Sequence, residues 1–537
     1  MGVTRAALSK AKTFPSPTTH QAWWVVTWLA VAFGIFIRCW HLGSKSIWFD
    51  EGYTAWLVSH SPAEIIRLIR ADTAPPLYYL LLHGWTALFG RSEAALRSLS
   101  AVFSIMTLFL AIGIARRMLP NPAAIAAVAW AMSLSFMQLW YAQEARGYAM
   151  MAFLAVAAFD CVQRHLAARD RRWLMVLPIL FAAAMYTHNM MAPYVMGILL
   201  GWLVLPSEHS FSRRIAEILA VTAIAGLLYL PWAIAGLPEQ MEMIRHGFWA
   251  DPLNHGTFFS ILFSLAGVKS YWSAANVLDP FHLRIADGNC PVIIAAVLLG
   301  ISAITSILFQ RGPRRRAAIG LLLAALFPPL FVALYSIVRT PLFIDKLFVP
   351  SATLLPIFAM LPLGMRLSGL PRLLAWIGAG LLLFMSGVTL VGYQKEGNKE
   401  DWRDAAATVA QLPADHRLII FIANDGQLPF DYYYPYRRGD EATGVPGGFF
   451  DLNPPRTMRR AIKSGDLDSL KSRLDTGHYD QIVLLLAHQG WGDPNQLATE
   501  LIRSRFRLAG HAEFYDVAVQ WYSNPRPGDL SAFPTQR

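Results

Sequence analysis

Two adjacent acidic residues lie shortly after the first apolar segment of the chain. Asp50 and Glu51, in the tetrapeptide Trp48-Phe49-Asp50-Glu51, follow an N-terminal apolar segment by about ten residues. If this stretch is helical, the pair lies within about 15 Å of the end of that segment, and neighbouring side chains point about 100° apart. One carboxylate can then face a reacting group while the other holds the loop or touches an acceptor. Both are candidate catalytic residues; the alternative is a solvated or helix-capping pair.

A second polar cluster precedes the apolar stretch Pro75–Gly90. Two prolines suit the first turn of a helix, and the stretch is too short for a secure membrane span, so a re-entrant or interfacial helix fits better. Asp72 could orient the catalytic loop or bind a substrate hydroxyl, and Tyr78 is a candidate substrate contact in the same cluster. The alternative is a plain helix start.

A third cluster lies between two strongly apolar segments, where ionisable residues are costly and often functional. Arg146 could bind a phosphate through its planar guanidinium. Glu144 could hold that arginine or bind sugar, and Tyr141 and Tyr148 flank the turn as further candidate contacts. The alternative is a Glu–Arg pair that only stabilises the turn.

Three isolated residues are further substrate-binding candidates. Arg97 opens an apolar segment, His188 lies in a turn, and Lys346 is the best second cation for a lipid phosphate. Each alone is more often an interfacial anchor. The sequence has no Walker A loop, no His/Cys array with metal-ligand spacing and no Gly-x-Ser-x-Gly elbow, so no metal site is assigned.

Composition predicts a polytopic α-helical membrane protein. Hydrophobic residues make up 55% of the chain and charged residues 15%, whereas soluble proteins are about a quarter charged. The net charge is +11, which suits anionic membrane lipids or a lipid phosphate. The basic residues form no continuous patch, so nucleic acid is a poor alternative and is not predicted as a partner.

About eleven segments are long and apolar enough to be read as membrane-spanning helices. With the N-terminus in the cytoplasm, every cytoplasmic loop is basic, as the positive-inside rule expects. This orientation places the C-terminus outside the inner (plasma) membrane. The predicted spans are 22–40, 98–117, 122–140, 148–165, 173–188, 190–206, 214–235, 290–309, 317–337, 347–365 and 371–391.

The spans divide the chain into three parts. We predict a cytoplasmic tail at 1–21, a transmembrane catalytic domain at 22–394 and an extracytoplasmic domain at 395–537. The catalytic domain has two long outer loops, at 41–97 and 236–289.

The polar tail alternates strand-like and helix-like stretches. The clearest strands are Arg417–Ala423 and Gln481–Leu486, and Arg507–Tyr522 resembles a strand pair. Strands that alternate with helices predict a small α/β domain with a parallel sheet.

Taken in order, the polar motifs resemble those of GT-C glycosyltransferases of the protein O-mannosyltransferase and aminoarabinose transferase type. The resemblance covers roughly residues 20–365, with a looser match at Asp401-Trp402-Arg403, and is closest to bacterial galacturonosyltransferases of the lipopolysaccharide core. Many members have an Arg-Tyr pair where this chain has Asp345-Lys346-Leu347; lysine keeps the charge but loses bidentate geometry. The matching motifs are Asp50-Glu51, Ala74-Pro75-Pro76-Leu77, Leu96-Arg97 and Gln143-Glu144-Ala145-Arg146-Gly147-Tyr148.

The resemblance implies a GT-C fold and an inverting sugar transfer by single displacement. Asp50 would be the general base, and Arg146 and Lys346 would stabilise the leaving lipid phosphate. The implied partners are a polyprenyl-phosphate-linked sugar and an acceptor that is a lipid, a glycan or a protein; no cofactor is implied.

Two other functions are compatible with a polytopic chain. A transporter or flippase of lipid-linked sugars is the first alternative, although paired halves with broken helices are not seen. A noncatalytic membrane scaffold with an outer binding domain is the second. The sequence does not identify the sugar.

Overall fold

The computed structural model describes most of the chain. Parts of the predicted tail 1–21 and of the predicted outer loop 236–289 lie outside the described residues. The described residues are 17–168, 170–245, 250, 252–268, 290–364, 370–396, 399–413, 416–447 and 461–523.

The first three quarters of the described chain is helical. The helices, numbered in chain order, are α1 (Pro17–Cys39), α2 (Phe49–Leu57), α3 (Pro62–Ile69), α4 (Leu77–Phe89), α5 (Glu93–Met118), α6 (Pro122–Leu134), α7 (Phe136–Ala142), α8 (Tyr148–Ala168), α9 (Arg171–Thr187), α10 (Met191–Val204), α11 (Phe211–Ala235), α12 (Leu237–Arg245), α13 (His255–Leu265), α14 (Cys290–Phe309), α15 (Pro313–Val338), α16 (Val349–Ala359), α17 (Leu361–Gly364) and α18 (Leu370–Glu396). A 3-10 turn, Asp345–Phe348, precedes α16.

Membrane-length helices confirm the polytopic helical fold. Among the described residues, seven helical stretches are long and apolar enough to cross a membrane, and the pair α6 and α7 makes an eighth if it is one span bent by 50°. The three remaining predicted spans coincide with α9, α10 and α14, which are not among those seven. The count of eleven therefore stays a prediction.

Polar caps define where several of these helices begin. Ser92 caps α5 by accepting a hydrogen bond from the Ala95 amide. Asn121 caps α6 with Pro122 at the first helical position, a placement in which proline loses no hydrogen bond. Ser135 lies between α6 and α7 and caps α7, so the bend in this pair follows from an extended capping residue inside an apolar stretch.

The predicted outer loop 41–97 is itself built of short helices. It contains α2, α3 and α4 and the first turn of α5. Helix α4 has 13 residues, whereas a span needs roughly 20. This length agrees with the re-entrant or interfacial helix predicted for the segment after the paired prolines.

The C-terminal part forms a small α/β domain, as predicted, but its sheet is mixed. Its strand order is β2-β1-β3-β5-β4, with β1 parallel to β2 and β3 and the last two strands antiparallel. The elements are α19 (Trp402–Gln411), β1 (Arg417–Ile422), α20 (Gln427–Tyr433), β2 (Asp440–Val445), α21 (Asp468–Thr476), β3 (Gln481–Ala487), α22 (Gln489–Gly492), α23 (Leu497–Arg503), β4 (Arg507–Phe514) and β5 (Val517–Ser523).

Two features differ from the sequence prediction. The predicted strand pair is present as the hairpin β4–β5, with Asp516 at a positive φ of 54° in its turn, but β5 pairs antiparallel with β3, so the sheet is not wholly parallel. Strand β2, with the sequence DEATGV, was not predicted because it lacks an apolar run.

Helices cover both faces of this sheet. On one face, Leu470 of α21 and Ile502 of α23 pack against the central strands. On the other, Trp402 of α19 and Phe430 of α20 do so. The fully buried strands β1 and β3 are apolar after their first residues, Arg417 and Gln481, because both of their faces are covered.

The C-terminal domain packs directly on the outer loop. The Tyr433 hydroxyl accepts a hydrogen bond from the Ile47 amide at 2.7 Å and donates one to Glu93 at 3.1 Å. Arg403 donates to the Gly43 and Ser44 carbonyls and to Glu93. These contacts tie the domain to both ends of the loop.

The tightest contact is between α2 and the start of α20. A Cβ atom on Gly52 would lie 2.7 Å from the nitrogen of Pro429 and 2.8 Å from its Cα. Both are backbone atoms and cannot rotate away, so only glycine permits this approach.

We predict that Gly52→Ala lowers stability by about 1–3 kcal/mol, the usual result of overpacking a close contact. Thermal unfolding in detergent would measure this loss. Gly84→Ala is the matched control, since a Cβ there meets nothing within 4 Å and alanine suits a helix interior better. Equal midpoints for the two variants would contradict the predicted contact.

Candidate active site

The acidic pair lies in the first turn of α2, and the cap of this helix comes from elsewhere in the chain. Trp48 at the N-cap makes no side-chain capping bond. Instead, Oε2 of Glu400 accepts a hydrogen bond from the Phe49 amide at 3.1 Å. Asp50 and Glu51 follow at the positive end of the helix dipole, which stabilises negative charge.

Glu400 is held by two residues of the C-terminal domain. Trp402 donates its indole N–H to Oε2 at 2.7 Å, and Nε2 of His488 lies 2.9 Å from Oε1. Nδ1 of His488 lies 3.2 Å from Asp425. Burial alone would lower the pKa of His488, but these two carboxylates raise it to about 10. The ring is therefore cationic at neutral pH and donates from both nitrogens.

Glu51 is fully buried in an ion-pair network. Its oxygens accept hydrogen bonds from Nε and Nη2 of Arg97 at 2.7 and 2.6 Å and from the Ala145 amide at 3.0 Å, and Nζ of Lys399 lies 3.1 Å away. Burial alone would raise the pKa of Glu51, but Arg97 and Lys399 hold it at about 2. Glu51 is thus anionic with both oxygens engaged.

Arg97 is as fully used as Glu51. Besides the carboxylate, it donates to the Leu42 and Lys45 carbonyls from Nη1 and to the Ser46 carbonyl from Nη2. These bonds account for all five guanidinium N–H donors. No donor remains for a substrate, which argues against the substrate-binding role predicted for Arg97.

Lys399 is a site residue that sequence reasoning missed. It contacts Glu51 and donates to the Gln143 carbonyl at 2.9 Å. Burial and the nearby Arg97 lower the pKa of Lys399 to about 8. It lies just after the last apolar helix, in a stretch that reads as the start of a soluble domain, so no sequence signal linked it to the outer loop.

Asp50 differs from Glu51 in exposure and partner. Its Oδ2 lies 3.2 Å from Nζ of Lys346, with the two side chains 14% and 17% exposed. Burial would raise the pKa of Asp50, but Lys346 and then Arg146 outweigh it and hold the pKa below its ordinary value. Asp50 is therefore an accessible carboxylate beside a cation.

Two buried hydroxyls fix the turn that carries Arg146. Oγ of Ser100 donates to the Arg146 carbonyl at 3.1 Å and lies 2.8 Å from the Tyr78 hydroxyl. Tyr78 is 1% exposed. Tyr78 supports the turn through Ser100. This internal contact argues against the substrate contact predicted for Tyr78.

The Arg146 side chain lies between aromatic rings. Its guanidinium carbon is 5.9 Å from the centre of the Tyr53 ring and 5.8 Å from that of Tyr79. Nη1 is buried and has no hydrogen-bond partner among the described residues. Arg146 does not pair with Glu144 in the described structure, because both Glu144 oxygens also lack partners. The alternative of a turn-stabilising Glu–Arg pair is therefore not supported.

A cavity of about 210 Å³ is lined in part by Lys346, the ion-pair partner of Asp50. Glu144 contributes a carboxyl to it. Burial, with Asp50 and Glu51 adding to it and Lys399 opposing it, raises the pKa of Glu144 to about 7. The lining residues are Trp48, Phe136, Trp140, Tyr141, Glu144, Asp345 and Lys346.

The remaining predicted residues surround this centre. Tyr141 donates to Asp345 at 3.3 Å, and the Tyr148 ring centre lies 5.7 Å from Nζ of Lys346. Asp72 accepts from the Thr73 amide through Oδ1, while its buried Oδ2 has no partner among the described residues.

His188 packs beside the Tyr148 ring, with the ring centres 6.1 Å apart. Burial and the cations Arg146 and Lys346 lower the pKa of His188 to about 3, so the ring is neutral. Its Nδ1 accepts a hydrogen bond from the Met190 amide at 3.1 Å, which leaves Nε2–H as a donor. The structure thus gathers all the predicted site residues, but uses Glu51, Arg97 and Tyr78 as internal supports.

Comparison with solved structures identifies the fold. The crystal structure of ArnT from Cupriavidus metallidurans in the apo state is similar at a TM-score of 0.59 and 16% identity, covering 94% of this chain and 98% of that one. This chain has the GT-C fold. The crystal structure of ArnT from the same organism bound to undecaprenyl phosphate is also similar. It matches at a TM-score of 0.55 and 15% identity, covering 93% of this chain and 98% of that one.

A family model adds a sequence match within the GT-C fold. The family described as dolichyl-phosphate-mannose-protein mannosyltransferase matches residues 73–234. This range includes Glu144 and Arg146 but neither Asp50 nor Lys346. A comparison with curated proteins finds no match. The match covers less than half of the chain, so the comparisons establish the GT-C fold and a local sequence similarity to this family.

We predict that Glu51→Gln lowers stability by about 3–5 kcal/mol, because it leaves the buried Arg97 and Lys399 charges uncompensated. Asp50→Asn is the matched control. Its partner Lys346 is partly solvated, so we expect a loss of about 1 kcal/mol or less. Thermal unfolding of both variants in one detergent measures the difference, and equal losses would contradict the division between an internal and an accessible carboxylate.

Proposed function

We propose that this protein transfers a sugar from a polyprenyl-phosphate carrier to an acceptor hydroxyl at the extracytoplasmic face of the inner membrane. The observation that carries the proposal is the 3.2 Å pair of Asp50 and Lys346. It combines a proton acceptor with a cation beside a cavity. Arg146 adds a second cation whose field reaches Asp50.

The chemistry of a glycosyl phosphate explains why both charges are needed. A carboxylate of Asp50 takes the proton of the acceptor hydroxyl as its oxygen bonds to the anomeric carbon. The bond from that carbon to the phosphate oxygen breaks, and the lipid phosphate leaves with one more negative charge. Lys346 and Arg146 stabilise that charge. Attack opposite the leaving group inverts the anomeric configuration.

The ion pair also explains how Asp50 could act only when the donor is bound. Before binding, Lys346 holds the Asp50 pKa low, which makes Asp50 a weak base. A donor phosphate that draws Lys346 towards itself weakens this pairing, and the Asp50 pKa then rises towards its ordinary value. Basicity would thus be coupled to occupancy.

The cavity suits a sugar ring in composition. Trp48, Phe136 and Trp140 offer apolar surfaces for the C–H faces of a sugar, while Glu144 and Asp345 offer oxygens for its hydroxyls. Binding of undecaprenyl phosphate by one of the similar ArnT structures supports the same class of lipid carrier here. The proposed acceptor is a lipid, a glycan or a protein.

The supporting residues have assigned roles in this proposal. Glu51, Arg97 and Lys399 are positioning residues that fix α2, and Tyr78 positions the Arg146 turn. Asp72 and His188 surround the phosphate-binding arginine. The 395–537 domain completes the site by capping α2 through Glu400.

We predict that Asp50→Asn lowers kcat for sugar transfer by about 100- to 10,000-fold, since asparagine cannot accept the proton. Radiolabelled sugar transfer from a polyprenyl-phosphate donor, in detergent with membrane extract as acceptor, measures this loss. Donor binding should persist, because both cations remain.

Asp516→Asn is the matched control: this residue lies in an exposed hairpin turn at positive φ, which asparagine also adopts. Unchanged transfer by Asp50→Asn would remove Asp50 from the mechanism. Movement of the lipid-linked sugar across vesicles without transfer would favour a flippase instead.

We predict that donor KM rises with pH through about 7. Glu144 has a raised pKa of about 7, so it is neutral below that pH and anionic above it. An anionic Glu144 repels the donor phosphate, and KM should increase on the order of 3- to 10-fold between pH 6 and 8.5.

Glu144→Gln keeps the shape of the side chain and should flatten this dependence, with KM fixed near the low-pH value. A wild-type KM that falls with rising pH would contradict repulsion between Glu144 and the donor phosphate.

A further inference from the structure

Two histidines and a glutamate meet at the end of the helical domain opposite the proposed active site. His165 belongs to the last turns of α8, His209 to the connection between α10 and α11, and Glu217 to α11. Nε2 of His165 lies 3.1 Å and Nδ1 of His209 lies 3.3 Å from Oε2 of Glu217. Their side chains are 0%, 1% and 10% exposed.

The surroundings orient two of these groups as ligands. Nδ1 of His165 faces the Asp170 carbonyl at 3.4 Å. A carbonyl only accepts, so this contact requires a proton on Nδ1, and the Nε2 edge of the ring faces Glu217. Arg213 donates to the other Glu217 oxygen at 2.9 Å. A carbonyl behind a histidine and a cation behind a carboxylate are common supports of metal ligands.

One nitrogen of this cluster has no hydrogen-bond partner within the described part of the chain. Oε2 of Glu217 lies 3.1 Å from Nε2 of His165 and 3.3 Å from Nδ1 of His209. Nε2 of His209 is buried and has no partner among the described residues. A cation among the three groups would accept lone pairs from both imidazole rings and from the carboxylate.

We propose that His165, His209 and Glu217 bind a divalent transition-metal ion of the zinc class. The ligand atoms of the three residues lie within 4.8 Å of one another. In a tetrahedral site with bonds of about 2.0–2.1 Å, neighbouring ligand atoms lie about 3.3–3.4 Å apart. The two measured separations from Glu217 are close to this edge. Imidazole nitrogen with one carboxylate oxygen is a donor set that zinc accepts readily.

The bound ion would stabilise the packing of two helices and would take no part in sugar transfer. Helix α8 has 21 residues, so its ends are about 30 Å apart, and Tyr148 of the proposed active site is at the other end. The ion would join the end of α8 to the start of α11. Glu217 follows His165 by 52 residues and His209 by 8 residues. These separations explain why no metal-ligand spacing is visible in the sequence.

The test uses the full chain, purified in detergent without a polyhistidine tag, stripped with chelator and reloaded with Zn²⁺. We expect about one bound zinc per chain by elemental analysis, and a thermal unfolding midpoint that rises on zinc addition. His209→Ala and Glu217→Gln should each lose at least ten-fold in zinc affinity and show no rise.

His511→Ala is the matched control, because His511 is exposed on strand β4. Glu217→Gln keeps the shape of the side chain and guards against misfolding of the alanine variant. Zinc binding equal in wild type and Glu217→Gln, or absent from a folded wild-type chain, would overturn the proposal in favour of a proton shared within a His–Glu–His cluster.

Discussion

The buried ion pair of Glu51 and Arg97 is the interaction on which the outer loop depends. Charges removed from water are stable only when they are paired and fully hydrogen-bonded. Arg97 meets this condition by binding Glu51 and three loop carbonyls at once. These bonds fix the backbone conformation of the loop before α2. Lys399 adds a cation from the far end of the helical domain. The position of α2 is thus set by charge balance as much as by apolar packing.

Adjacent carboxylates divide two tasks that a single residue could not combine. Glu51 is engaged on both oxygens and fully buried, which suits a fixed anchor. Asp50 precedes Glu51 by one residue and points to a different side of α2. It contacts Lys346 and remains partly exposed. The 100° offset between neighbours on a helix produces this division directly. The pair therefore appears in sequence as one motif but functions as two.

Much of this arrangement was predictable from sequence. The length of an apolar segment and the charge of its flanking loops predict each helix without knowledge of the others. The acidic pair, the Arg146 turn and Lys346 were all recognised as polar residues in costly surroundings. What sequence could not provide was pairing between distant segments. Arg97 and Tyr78 looked like substrate ligands until their donors were found to be used internally, and Lys399 gave no signal. Strand β2 was invisible because it is a polar edge strand, held by its register with β1.

Glu400 caps α2, and His488 in turn holds Glu400. This contact can form only late in synthesis, because its two partners are far apart in the sequence. The outer loop leaves the ribosome hundreds of residues before its cap, so a nascent chain already inserted in the bilayer lacks the groups that complete the first turn of α2. A chain truncated before Glu400 would therefore carry both acidic residues but lack the carboxylate that caps their helix. Completion of the first turn of α2 therefore depends on a domain that is synthesised well after the helix itself.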